Sequence, residues 1–139
     1  MKFAAPLILA ALMAVATPTA AGPDEREAEA QSVARAWLAL VDSGSYAKSW
    51  SEASSLFRRS ITQPQWSSAV ASVRNPLGAL KSRTLRSVTF TRSVPGGPDG
   101  QYVVVQFASS FDQKESASET VTPMKDTDGR WRVAGYFVR

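Results

Sequence analysis

The spacing of apolar residues changes once along this chain, close to Leu80. Before that point, apolar side chains recur every three or four residues, which is the period of an amphipathic helix. After it they alternate, which is the period of a strand with one buried face. Helices followed by strands with short connections form an α+β fold, in which the helices cover one face of an antiparallel sheet. We therefore predict three N-terminal helices packed on a four-stranded antiparallel sheet.

The first two predicted helices follow each other closely. The first begins near Pro23, which suits an initial helical turn, and ends at Gly44, which suits a left-handed cap. Its apolar stripe consists of Ala30, Val33, Ala34, Trp37, Leu40 and Val41. The second is predicted as one helix over residues 46–59, because apolar residues keep the helical spacing throughout this stretch.

Local signals also bound the third helix and the strands. Thr62 and Gln65 are spaced as a capping box, and Asn75 before Pro76 ends the helix that they begin. The strands are predicted over residues 81–92, 101–111, 115–124 and 130–138. Pro123, near the end of the third strand, indicates an edge or a bulge.

Residues 1–21 have the three-part organisation of a secretory signal peptide. Lys2 supplies a positive charge, residues 3–16 are uncharged, and Thr19-Ala20-Ala21 offers small residues for cleavage. The alternative is a membrane anchor, but a spanning helix needs about 20 apolar residues and this run is shorter. We predict cleavage after Ala21, which leaves a single α+β domain over residues 22–139. We expect that domain to be exported, to the periplasm or, alternatively, out of the cell.

Two residue types are missing from the sequence, which has neither cysteine nor histidine. Disulfides, thiol catalysis and cysteine-ligated metals are therefore excluded, and the commonest metal ligand and general base are absent. The segment from Asp126 to Gly129 resembles a calcium loop only superficially, because the remaining ligands are lacking, and it is interpreted as a turn. We predict no metal and no cofactor.

The charge distribution is uneven along a chain whose net charge is +4. No acidic residue occurs between Glu52 and Asp99. The candidates for a basic face are Arg58, Arg59, Arg74, Arg83 and Arg86. Such a face would attract an anionic envelope polymer or lipid, and the alternative is an ordinary solvated surface. Nucleic acid is not expected as a partner, because no aromatic-basic signature accompanies these charges.

Several short segments resemble a known superfamily. The opening helices, with Ala36-Trp37-Leu38, Val41-Asp42-Ser43-Gly44-Ser45-Tyr46 and Ser49-Trp50, resemble those of the nuclear transport factor 2-like, or cystatin-like, superfamily. Downstream segments resemble a family of small exported bacterial proteins of uncharacterised function in or near it: Asn75-Pro76-Leu77-Gly78, Glu119-Thr120-Val121-Thr122 and Asp128-Gly129-Arg130-Trp131-Arg132-Val133. The resemblance covers residues 28–139. It implies a cone-shaped, cystatin-like roll, often with an apolar pocket and often dimeric through the sheet.

Two carboxylates are candidates for catalysis, because isomerases of this fold use a buried Asp with Tyr or acid donors. Asp42 lies at a helix end, where Asp more often serves a turn. Glu119 either faces solvent or pairs with Arg83 or Arg86 across strands. The resemblance carries over no catalytic residue, because the matched family has no agreed site.

Five aromatic residues could line a ligand pocket, although such residues more often form the core. They are Trp37, Trp50, Trp66, Tyr102 and Tyr136. The second and last strands carry apolar residues on both faces, which predicts a homodimer through the sheet. The function expected first is a non-enzymatic exported module that binds a small apolar ligand or an envelope protein. The alternatives are a lyase or isomerase with a buried carboxylate, and a binder of anionic polymer or lipid.

Overall fold

A computed structural model describes residues 23–139, in which four helices precede a four-stranded antiparallel sheet. The helices are α1 (Pro23–Asp42), α2 (Tyr46–Ser51), α3 (Ser55–Ser60) and α4 (Gln63–Arg74), with a 3-10 turn at Asn75–Leu77. The strands are β1 (Leu80–Thr91), β2 (Tyr102–Phe111), β3 (Lys114–Lys125) and β4 (Trp131–Val138). The α+β prediction is confirmed. The predicted signal peptide, residues 1–21, lies outside the described residues.

Helix α1 ends as its sequence indicates. Gly44 has a φ of 77°, and its N–H donates to the carbonyl of Val41. The N–H of Ser45 donates to the carbonyl of Leu40, which completes a Schellman motif. The buried stripe of α1 is rotated slightly from the predicted one, since Leu38 is fully buried and Leu40 only half-buried.

The second predicted helix is wrong in one respect, because the chain breaks it into α2 and α3. Ser54 is extended there, and its N–H donates to the carbonyl of Val133 in β4 at 2.8 Å. Its side chain accepts from the N–H of Phe57 and so caps α3. The apolar spacing continues across this break, since Ala53 and Phe57 are both buried. Periodicity alone therefore missed the boundary, which a contact with the sheet imposes.

The turn between β3 and β4 holds α3 from the opposite side. Asp126 accepts hydrogen bonds from the N–H and the hydroxyl of Ser55, at 2.9 and 2.5 Å. It also pairs with Arg132. Gly129, with a φ of 81°, closes the turn, as the sequence predicts. Ser54 and Ser55 therefore both hold α3 to the sheet.

Helix α4 begins with the predicted capping box. The side chain of Thr62 accepts from the N–H of Gln65, and the side chain of Gln65 accepts from the N–H of Thr62. The helix gives way to the 3-10 turn at Asn75, and Gly78 follows with a φ of 75°.

The four strands form a meander in the order β1-β2-β3-β4, so β1 and β4 are the edges. All neighbours are antiparallel. The register shifts between Thr122 and Pro123, so of the two alternatives for Pro123 the bulge is the correct one. Because β3 is an interior strand, this proline does not mark an edge.

The helices and one face of the sheet enclose the hydrophobic core. Helix α1 contributes Trp37, Leu38 and Val41, which lie in one cluster with Val105 and Phe107 of β2. The opposite face, called the outer face here, carries mainly hydroxyl side chains: Thr84, Thr89, Ser110, Ser118, Thr120 and Thr122. Within residues 23–139, no helix is long and apolar enough to cross a membrane.

Candidate functional site

Both candidate carboxylates belong to one ionic cluster, in which Glu119 is the most buried member. Glu119 projects from β3 toward the helices and is 0% exposed. Its Oε1 accepts from Arg83 Nε at 2.8 Å and from the Ser109 hydroxyl at 2.5 Å. Its Oε2 accepts from Arg83 Nη2 at 3.1 Å and from the Tyr136 hydroxyl at 2.5 Å. Four donors from three strands therefore surround this carboxylate.

Arg83 links Glu119 to the second carboxylate, Asp42, at the end of α1. Arg83 Nη1 and Nη2 donate to the two oxygens of Asp42 at 2.8 and 3.0 Å. Arg74, at the end of α4, donates from Nη2 to Asp42 Oδ1 at 2.8 Å. Its guanidinium lies over the ring of Phe111, 4.8 Å from the centroid. Two arginines thus balance two carboxylates.

The proton affinities in the cluster follow from burial and charge. Burial raises the pKa of Asp42, but the hydrogen bonds and positive charges of Arg83 and Arg74 outweigh it, so this pKa lies below its usual value. Burial, together with the negative charge of Glu119, raises the pKa of Tyr136 well above its usual value. Asp42 therefore stays ionised and Tyr136 stays protonated near neutral pH.

This arrangement suits a structural network better than acid–base catalysis. An ionised carboxylate offers about four acceptor positions, and Glu119 uses all of them within the protein. A general base must reach a substrate proton with a free lone pair, and its pKa should lie near the working pH. Glu119 lacks the free lone pair, and the lowered pKa of Asp42 is unsuited to the task.

The cluster also decides the outcome for two of the five residues of the predicted basic face, Arg74 and Arg83. Pairing of Glu119 with Arg83 is confirmed, whereas its alternative, a solvent-facing side chain, is wrong. Arg74 is buried and the Arg83 side chain is 10% exposed, and both are ion-pair partners that do not contribute to a basic surface. Arg58, Arg59 and Arg86 are exposed, the first two on α3 and the third on β1.

The tryptophans among the predicted pocket residues pack inside the protein. Trp37 and Trp66 both bind Ser49: Nε1 of Trp37 donates to its carbonyl and Nε1 of Trp66 to its hydroxyl. Their ring centroids lie 5.8 Å apart. The half-buried Trp50 donates from Nε1 to the carbonyl of Ile61. The three indoles therefore fix α1, α2 and α4 against one another, and the expected pocket does not lie between Trp37 and its neighbours.

Trp66 also lines a small groove between α4 and β4, and the two predicted tyrosines border a larger groove on the outer face. This outer groove has a volume of about 510 Å³ and lies between the β1–β2 loop and β4. Val94 to Gly97 form one wall, and Leu56 of α3 and Phe137 of β4 form another. Its floor consists of Val104, Gln106, Thr120 and Thr122. Among the described residues that line it, none is charged.

Tyr102 holds the loop wall of the outer groove in place. Its hydroxyl donates to the carbonyl of Pro98 at 2.6 Å, and its ring is fully buried. A Cβ at Gly97 would lie 2.8 Å from Val94 Cγ2 and 3.3 Å from the Tyr102 hydroxyl oxygen, and one at Gly100 would lie 3.4 Å from the Tyr102 ring. The absence of both side chains lets the loop fold over Tyr102. Only the fold shows which residue this loop covers.

A comparison with protein families identifies the matched region. The profile described as "Protein of unknown function (DUF4019)" matches residues 33–136. The chain belongs to the DUF4019 family. No curated protein and no solved structure matches it.

The DUF4019 match contains the complete ionic cluster, from Asp42 to Tyr136. It also contains the β1–β2 loop and the floor of the outer groove. Within the part of the DUF4019 chain that the structure describes, no group of His, Cys, Asp and Glu residues is arranged to hold a metal ion.

Proposed function

We propose that this DUF4019 protein is an exported, non-enzymatic module that binds a small, uncharged, partly apolar molecule in the outer groove. The observation that carries the proposal is the groove itself, about 510 Å³ of space with apolar walls and a polar floor. Ligand sites in proteins commonly enclose about 300–1,000 Å³ and combine apolar walls with a few placed polar groups. The outer groove has both the volume and the combination of apolar and polar groups that such sites have.

The lining residues limit the chemistry of the ligand. A charged ligand would lose hydration without gaining a partner, because the described lining residues carry no charge. Thr120 and Thr122 offer hydroxyl groups, and Gln106 offers the amide nitrogen that its bond with Ser87 leaves available. An aliphatic or aromatic body with one or two neutral hydrogen-bonding groups fits this set.

The rival functions have less support. A lyase or isomerase would need a reactive carboxylate, whereas Glu119 is saturated and the pKa of Asp42 is lowered. A polymer-binding basic face would need its arginines together, whereas Arg74 and Arg83 are held in ion pairs with carboxylates. Export rests on the signal pattern of residues 1–21. The helix-then-sheet order agrees with membership of the nuclear transport factor 2-like superfamily. The outer groove, however, lies outside the cone-shaped pocket that this resemblance implies.

The test is a substitution that fills the groove. Val104→Trp adds an indole to the floor, and we expect it to lower the affinity for Nile red, an uncharged fluorescent probe, at least about tenfold. Ser118→Trp adds the same group to the outer face away from the groove and should leave the affinity unchanged. Dye titrations followed by fluorescence measure both.

Native mass spectrometry supplies the second readout. Wild-type protein purified from its own periplasm should retain a bound small molecule, and the Val104→Trp variant should not. A bare wild-type protein together with equal dye affinities for all three proteins would overturn the proposal.

A further inference from the structure

The outer edge of β4 leaves backbone groups unpaired. Arg139 and Ser118 exchange both of their backbone hydrogen bonds, at 2.9 Å each. In an antiparallel pair such residues alternate with residues whose N–H and C=O point away from the partner. Tyr136 and Val138 are in that second position, and within residues 23–139 their backbone groups bond to no other segment. The first half of the edge differs, because Ser54 covers the carbonyl of Val133.

An apolar groove runs beside this free edge. Helix α4 contributes four residues from one helical face: Trp66, Ala69, Val70 and Val73. Strand β4 contributes its last three residues: Tyr136, Phe137 and Val138. The groove encloses about 220 Å³. Val73 and Phe137, at 45% and 48% exposure, are the two exposed large hydrophobic residues of the described chain. The most exposed apolar side chains therefore flank the open strand edge.

The opposite edge of the sheet is protected in ways that β4 is not. Strand β1 carries the exposed charges of Lys81 and Arg86 and two register shifts, features that commonly prevent edge-to-edge pairing. Residues 136–138 of β4 carry no charge and no proline. The β4 edge is thus the one left open for an additional strand.

The charges near this groove indicate the charge of the segment that would pair with the β4 edge. Helices α3 and α4 and strand β4 contain no acidic residue. Arg139 directly follows the open edge, and its guanidinium lies 5.1 Å from the centroid of the Phe137 ring, which lines the groove. A second copy of this chain would bring the same positive group to the interface, whereas an acidic segment would complement it.

We propose that the groove between α4 and the β4 edge binds an extended segment of a partner protein by strand addition, with apolar residues flanked by acidic ones. Backbone hydrogen bonds to Tyr136 and Val138 give the affinity, and an apolar side chain seats between Val70, Val73 and Val138. This site is independent of the ligand proposed for the outer groove, although Tyr136 and Phe137 border both.

The test uses the labelled peptide Asp-Glu-Val-Ile-Val-Glu-Asp, because main-chain pairing tolerates many sequences. Its binding is followed by fluorescence polarisation, with the lysine-for-acid version of the peptide as control. We expect the acidic peptide to bind at least about tenfold more tightly than the basic one. In nitrogen-15 spectra, the amides of Tyr136 and Val138 should shift on binding, and those of Val104 and Thr120 should not.

Variants separate main-chain pairing from charge. Val138→Pro removes an N–H that β3 does not use and should weaken peptide binding at least about tenfold. Val73→Glu and Val73→Lys both remove an apolar contact at an exposed position, and Val73→Glu should weaken binding more, because only glutamate repels the acidic peptide. Because Val73 lies on the helix surface, both of its variants should fold even if Val138→Pro does not.

Three outcomes would overturn the inference: equal binding of the two peptides, no binding of either, or amide shifts confined to the outer groove. Concentration-dependent shifts of Tyr136 and Val138 without peptide would identify a second copy as the occupant and would overturn it as well. Only the part of the Nile red affinity that Val104→Trp removes reports on the outer groove, and the amides of Tyr136 and Val138 report on the β4 edge. Failure of one proposal is therefore distinguishable from failure of the other.

Discussion

At the scale of a single residue, the contacts of Tyr136 hold both its hydroxyl and its ring in place. Its hydroxyl donates to Glu119 at 2.5 Å, and its ring centroid lies 5.5 Å from that of Trp37. Burial and the adjacent negative charge keep the hydroxyl protonated by raising its pKa. A buried carboxylate that loses one donor has no water to replace it, so the free energy of unfolding should depend on this one hydroxyl.

Replacing Tyr136 with phenylalanine tests this dependence. Tyr136→Phe should lower the free energy of unfolding by about 2 kcal/mol, as expected for a hydrogen bond to a charged group. Tyr46→Phe removes the same hydroxyl from a half-buried tyrosine outside the cluster and should change it by less than about 0.5 kcal/mol. Urea unfolding measures both, and equal effects would contradict the role given to Tyr136.

At the scale of elements, α3 depends on contacts that are distant in sequence. Its first residue, Ser55, donates two hydrogen bonds to Asp126 in the β3–β4 turn. Burial raises the pKa of Asp126, but hydrogen bonds from Ser55, from the N–H of Thr127 and from Arg132 outweigh it. The pKa of Asp126 therefore lies well below its ordinary value of 3.8, and the ionised form stabilises the fold.

This lowered pKa predicts the pH dependence of Asp126→Asn. The contribution of Asp126 is complete above its unfolded pKa of 3.8 and is lost as pH falls toward its lower folded pKa. The variant should therefore be less stable than wild type by about 2 kcal/mol near neutral pH, and the difference should shrink below about pH 4. Urea titrations over this range measure it. A difference that stays constant down to about pH 2 would contradict the assignment.

At the scale of the whole molecule, the ionic cluster joins the helices to the sheet. Asp42 and Arg74 come from the ends of α1 and α4, and Arg83 and Glu119 come from β1 and β3. Such a buried network contributes modestly while complete, but loss of one member leaves its partner charge uncompensated. Loss of one member of the cluster should therefore lower the free energy of unfolding of the helices and the sheet together.

Glu119→Gln should accordingly destabilise the entire fold. We expect a loss of about 3 kcal/mol, because Arg83 is then only partly balanced by Asp42. Glu115→Gln, at the exposed start of β3, is the matched control and should change stability by less than about 0.5 kcal/mol. Thermal unfolding followed at both helix and aromatic wavelengths measures the loss, and noncoincident transitions would argue against a shared network.

The homodimer predicted through the sheet also belongs to this scale, and it stays a prediction. It depended on apolar residues on both faces of the second and last strands. Val104, Ala108 and Phe137 do lie on the outer face, but hydroxyl side chains surround them.

The sequence by itself determined the features whose causes are local. The capping box of Thr62 and Gln65 and the left-handed Gly44 both act through neighbouring backbone atoms. The change from helical to strand spacing likewise determined the α+β class, because periodicity decides which face an element can bury.

Tertiary structure alone decided what long-range contacts impose. The break at Ser54 follows from a hydrogen bond to β4, and the ion pairing of Arg74 and Arg83 follows from carboxylates on other elements. The outer groove depends on how a loop covers Tyr102, and the open edge depends on β4 being last in the sheet. The spacing of residues along the chain cannot predict such pairings. The local sequence around a charged side chain or a backbone group is the same whether that group contacts water or a distant residue.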